Sequence, residues 1–174
     1  PVLQTVPRES RLLTFLEVVE LRMVKAFRDL GVALPLIREV SERLSRDAKT
    51  FFPFASEQVL VAGRRFIVKS ADGVMDAATG QRAADFAADF ALRLEFGGEG
   101  LAKRWWLDDT RQVVADPEIN FGAPYVNGTR IRTDVLAAAV EAEGGIEAAA
   151  FAYEVAPGLV EAACRYEAGT FSLR

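Results

Sequence analysis

The sequence predicts an α+β fold in which a helix pair is followed by a small β-hairpin and sheet, then by a bundle of three short helices. Three observations carry this expectation. Apolar residues recur at three- to four-residue spacing from Thr14 to Ala48. The period changes to alternation between Gln58 and Lys69, and again between Leu92 and Ala115. Short helical patterns separated by Gly144-Gly145 and opened by Pro157 then fill Thr133 to Glu167. With 174 residues, 51% of them hydrophobic, the chain is large enough to bury a core.

The first helix is expected over residues 14–30, with Leu16, Val19, Met23, Phe27 and Leu30 on one face. Thr14 followed by Glu17 makes a capping box, in which each side chain satisfies the other's backbone amide, and Gly31 supplies a left-handed stop. The second helix has Pro35 in its first turn, Leu36, Ile37, Val40 and Leu44 on one face, and its end near Ala48. Gln58-Val59-Leu60-Val61, a turn at Ala62-Gly63, and Arg64 to Lys69 read as a β-hairpin, with a third short strand around Val74 to Asp76. Arg64 and Arg65 at the hairpin tip either touch phosphate or keep the turn soluble. Arg82 to Phe90 predicts a short helix through Phe86 and Phe90, and Leu92–Phe96 and Leu101–Leu107 predict strands around the Gly97-Gly98-Glu99-Gly100 turn. Trp105 and Trp106 are expected in the core rather than at an interface. A strand at Gln112–Ala115 leads into a stretch dense in turn chemistry, which predicts an ordered loop. Helices follow at Thr133–Glu143, capped by Thr133, at Ile146–Tyr153 and at Pro157–Glu167, a set that predicts a homeodomain-like bundle.

Composition restricts the chemistry. The chain has no histidine, which removes the usual general base and the commonest transition-metal ligand. The lone Cys164 permits no internal disulfide and suits a reducing, cytoplasmic compartment. No apolar run approaches the roughly 20 residues that span a bilayer, so no membrane partner is expected. A magnesium nuclease built on Asp108, Asp109, Asp116 and Glu118 is disfavoured, because acids at turns and strand ends usually cap and solvate. Gly97, Gly98 and Gly100 lack the Lys-Ser/Thr ending of a phosphate loop and suit a hairpin turn. The expectation is therefore a non-enzyme with no catalytic residues, metal or cofactor.

Charge is segregated. Between residues 21 and 70 ten basic residues face five acidic ones, although the whole chain carries −4. Arg22, Lys25, Arg28, Arg38, Arg64 and Arg65 are the candidate phosphate contacts. Residues 133–174 hold seven acids against Arg165 and Arg174 alone, so the third helix of that bundle would be repelled by DNA and suits a protein partner.

Asp116-Pro117, Gly122-x-Pro124 and Gly128-Thr129-Arg130-Ile131, followed by a three-helix unit closing on Ala163-x-x-Tyr166-Glu167, resemble the bacterial domain of unknown function 433 across about residues 112–168. The position after Ile131, often proline in such proteins, is Arg132 here. That family is similar to VapB-type antitoxins, commonly encoded beside a PIN-type ribonuclease toxin. Leu13 to Leu44 looks like the second helix pair of a MerR-type winged helix-turn-helix, whose base-reading helix lies upstream, so a shortened N-terminus is expected.

The resemblance implies three regions: 1–80, a partial MerR-like winged-helix region; 81–111, a connecting helix and β-hairpin; and 112–174, the three-helix domain. It also implies an antitoxin that binds a cognate ribonuclease toxin and, in its full-length form, operator DNA as a homodimer. The alternative is a stand-alone MerR-like transcriptional regulator whose C-terminal domain binds another protein or dimerises.

Overall fold

The structure, a computed structural model, describes residues 12–60, 68 and 72–169. It is an α+β protein, with helices α1 (Phe15–Asp29), α2 (Leu34–Ala48), α3 (Glu57–Leu60) and α4 (Ala77–Ala91) ahead of four strands. These are β1 (Leu94–Phe96), β2 (Ala102–Trp106), β3 (Val113–Ala115) and β4 (Tyr125–Val126), antiparallel in the order β1-β2-β3-β4. Helices α5 (Thr133–Glu143), α6 (Ile146–Ala152) and α7 (Pro157–Glu167) complete it. The chain divides into two compact units, Pro1–Lys103 and Arg104–Arg174. Among the described residues no helix is long and apolar enough to cross a membrane.

In the first unit the expected capping box is formed. The Glu17 N–H donates to Thr14 Oγ1, and Glu17 Oε2 accepts from the Thr14 N–H at 2.6 Å. Val19, Met23 and Phe27 then fall on one buried stripe of α1. Pro35 opens α2, which buries Ile37, Val40 and Leu44, and Lys49 closes it in a left-handed conformation. A 3₁₀ turn over Pro53–Ala55 places Phe54 edge-on against Phe27, with centroids 5.4 Å apart. Truncating either fully buried ring would cost about 3–5 kcal/mol. Helix α4, capped by Asp76, presents Ala83, Ala84 and Ala87, whose small side chains allow close approach to α1 and α3.

Two strand expectations are corrected here. Glu57–Leu60 is a helical turn, with the Leu60 N–H donating to the Ser56 carbonyl at 2.9 Å. A strand would put Val59 and Leu60 on opposite faces. Both are buried, which only a helix or a two-sided burial satisfies. The rest of the expected hairpin, including Arg64 and Arg65, lies outside the described residues, apart from Val68, which is helical. Val74 to Asp76 is a turn that delivers the α4 cap rather than a strand.

One buried acid ties this unit together. Glu20, 2% exposed, accepts the Phe54 N–H at 2.6 Å and the Ala55 N–H at 3.0 Å through Oε1, satisfying the start of the 3₁₀ turn. Desolvation raises its pKa from 4.5 to about 8, against the opposing pull of those two N–H donors. The folded state thus keeps a proton that the unfolded chain releases. The resulting stability is full below the unfolded value and is lost as pH rises through the folded one. Urea unfolding followed from about pH 5 to about pH 8 should show stability falling by up to about 1.4 kcal/mol per pH unit. Glu20→Gln, which keeps an acceptor and removes the titration, should flatten that slope; a slope unchanged by the substitution would assign it to another group.

Candidate protein-interaction site

The residues of the Asp-Pro, Gly-x-Pro and Gly-Thr-Arg-Ile signature converge on the loops that flank β4. Asp116, 1% exposed, begins the frame. Its Oδ2 accepts from Arg104 Nε at 3.1 Å, its Oδ1 accepts the Glu118 N–H at 2.9 Å, and its carbonyl accepts the Ile119 N–H at 3.0 Å. One carboxylate therefore pairs with β2 and closes the turn that Pro117 pre-sets. On the far side of β4, Gly128 adopts φ 80°, and the Thr129 hydroxyl donates to the Val126 carbonyl at 2.9 Å while accepting the Ile131 N–H at 3.0 Å. Ile131 packs on the core of Val126, Leu136, Ala149, Val160 and Ala163. The Pro124 carbonyl accepts the Thr133 N–H at 3.0 Å, fastening the loop to the start of α5.

This frame holds a tip at Asn120–Gly122, where three consecutive residues are left-handed: Asn120 at φ 50°, Phe121 at 56° and Gly122 at 83°. Glycine adopts this region freely and asparagine tolerates it, but a bulky aromatic does so at a cost of about 1–2 kcal/mol. Asn120 Nδ2 donates to the Arg130 carbonyl at 2.8 Å, linking the tip to the second loop. Phe121 itself is 103% exposed and buries nothing against its own chain. Asp116, Pro117, Gly122, Pro124, Gly128, Thr129 and Ile131 thus build a frame; Arg130 lends it a carbonyl and keeps an exposed side chain.

Behind the tip, α5, α6 and α7 pack on one another around Leu136, Ala149, Ala150 and Val160. The expected cap at Thr133 is corrected: Arg132 is the N-cap, Thr133 is the first helical residue, and its buried hydroxyl donates to Glu167 at the end of α7. Trp105 and Trp106 are each 6% exposed, as expected of core, and Trp106 packs with Val114 and Tyr125. Of the four acids weighed as metal ligands, two serve the backbone. Asp108 accepts the Gln112 and Val113 N–H groups, each at 2.8 Å, and Asp116 acts as described. Among the described residues no three His, Cys, Asp or Glu side chains are grouped to hold a metal ion.

The candidate phosphate contacts occupy the first unit. Arg22, half-buried on α1, lies 5.4 Å over the Phe86 ring, and desolvation lowers its pKa from the ordinary arginine value. Lys25 pairs with Asp29 at 2.6 Å, both well exposed, and Arg28 Nη1 donates to the Val32 carbonyl at 2.8 Å. Arg38 is exposed on α2. Exposed pairs such as Lys25–Asp29 are worth about 0–1 kcal/mol, little enough to exchange for a phosphate. Arg64 and Arg65 lie outside the described residues. Phe121 was not singled out from sequence; the signal was an aromatic set between Asn120 and Gly122, in a stretch dense in Asp, Asn, Gly and Pro.

No protein-family model matches the chain, and no curated protein matches it. The fold is shared with the crystal structure of Rv2018 from Mycobacterium tuberculosis, at a TM-score of 0.76 and 21% identity, covering 94% of this chain and 85% of that one.

The frame and its tip should respond oppositely to substitution. Asp116→Ala removes a buried ion pair and a turn closure together and should cost about 2–4 kcal/mol in urea unfolding. Phe121→Gly should be neutral, or stabilising by up to about 1 kcal/mol, because it relieves left-handed strain without opening a cavity.

Proposed function

We propose that this protein is the antitoxin of a type II toxin–antitoxin pair. It binds and neutralises a PIN-type ribonuclease through its C-terminal unit and, as a homodimer on operator DNA, represses its own operon. The observation that carries the proposal is Phe121, fully exposed on a strained tip that its own fold leaves uncovered. A large ring on a backbone already fixed by hydrogen bonds spends only its own rotamer freedom on docking, which is the physics of an interface anchor. The acid surplus of residues 133–174 favours a cationic protein partner and opposes DNA phosphates. The basic surplus of residues 21–70 is the operator-facing counterpart, and the resemblances to the domain of unknown function 433 and to MerR-type proteins supply the pairing of the two roles.

Co-expression with the ribonuclease encoded beside it should yield a stable complex, and RNA cleavage should stop at equimolar antitoxin. Phe121→Gly should weaken that complex by about 10- to 100-fold, equivalent to about 1.4–2.8 kcal/mol. If no neighbouring ribonuclease binds, the protein is instead a stand-alone regulator whose C-terminal unit serves another protein. Operator affinity of the full-length protein should fall steeply with salt, and the salt slope should become shallower in Arg38→Ala by about one released counterion.

A further inference from the structure

The corner between α6 and α7 is a separate feature of the C-terminal unit. Glu147, Phe151, Ala152, Glu154, Val155 and Pro157 line an open groove of about 600 Å³ there. Phe151 is 89% exposed at its edge. Helix α6 ends in a left-handed turn, with the Val155 N–H donating to the Ala150 carbonyl at 3.0 Å and the Glu154 N–H to the Phe151 carbonyl at 3.3 Å. The left-handed position itself is Glu154, at φ 54°, where glycine would be favoured. Neither Glu147 nor Glu154 has an ion-pair partner among the described residues.

An apolar groove edged by an exposed ring and two uncompensated carboxylates fits a surface whose apolar stems end in cations, as lysine and arginine side chains do. A ribonuclease requires such a surface, because RNA is held through its phosphates. We infer that the α6–α7 corner docks on the cationic RNA-binding surface of the toxin, with Glu147 and Glu154 in the place of phosphates and Phe151 against the stems between them. The inference rests on the antitoxin reading and adds to it the contact face and the mode of inhibition: RNA and antitoxin exclude one another. It is independent of Phe121, which sits on a different loop.

The test uses the full chain and its co-encoded ribonuclease, with a 2′-O-methyl RNA 12-mer as an uncleavable competitor. The Glu147→Gln/Glu154→Gln double variant should bind the ribonuclease about 10- to 100-fold more weakly and with a shallower salt dependence, and Phe151→Ser should weaken it to a similar degree. The RNA should displace the wild-type chain. Thermal unfolding checks the variants' fold, and Glu154→Gly, which relieves the turn, should bind weakly while unfolding no earlier than wild type. Variants that bind like wild type, or RNA that binds to the complex without competition, would overturn the inference and leave the antitoxin reading standing. A wild-type chain that does not bind the ribonuclease at all would overturn both.

Discussion

The Asp116 carboxylate is the interaction on which the exposed end of the C-terminal unit depends. It is nearly inaccessible to water, so its charge is tolerable only while Arg104 and the Glu118 N–H compensate it. Those partners come from a neighbouring strand and from the following turn. The same contact that offsets desolvation therefore aligns β2 with the start of the loop that carries Phe121. Removing one partner would leave an uncompensated buried charge, which gives the tip a narrower range of geometries than a loop held by exposed contacts would have.

Legibility from sequence followed the range of the interactions involved. The ends of α1 were readable because the capping box involves residues three apart, and the left-handed Gly31 follows from glycine's own conformational freedom. The bundle's three helices were readable because Gly144-Gly145 and Pro157 punctuate them. The region after Phe54 was not, since Val59-Leu60 belongs to a short apolar run that strand and helix fit alike, and its helical state depends on packing against α2, α4 and the Pro53–Ala55 turn. Thr133 was misread as a cap because its hydroxyl bonds to Glu167, more than thirty residues away. The signature residues were legible as an ordered loop, but their arrangement around Phe121 depends on bonds such as Asn120 to Arg130 that no local pattern encodes.

The two units handle their charges differently. The first gathers cations on α1 and α2 and settles several of them against Asp29, a backbone carbonyl or the Phe86 ring. It also keeps Glu20 buried and protonated near neutrality, which avoids the cost of a bare carboxylate in its core. The second leaves most of its acids in water around a small, alanine-rich core. The surplus of acids is thereby confined to the second unit, while the first pairs several of its cations within itself.

The division of labour between frame and tip has an evolutionary corollary. Asn120 and Gly122 tolerate the unusual backbone geometry and Asp116 anchors it, so the side chain between them adds no packing to the fold. On the proposed reading, recognition would be rewritten by exchanging one outward side chain while the scaffold stays intact. Duplicated copies of such a gene would, on that reading, have a short mutational path to separate, mutually insulated pairings.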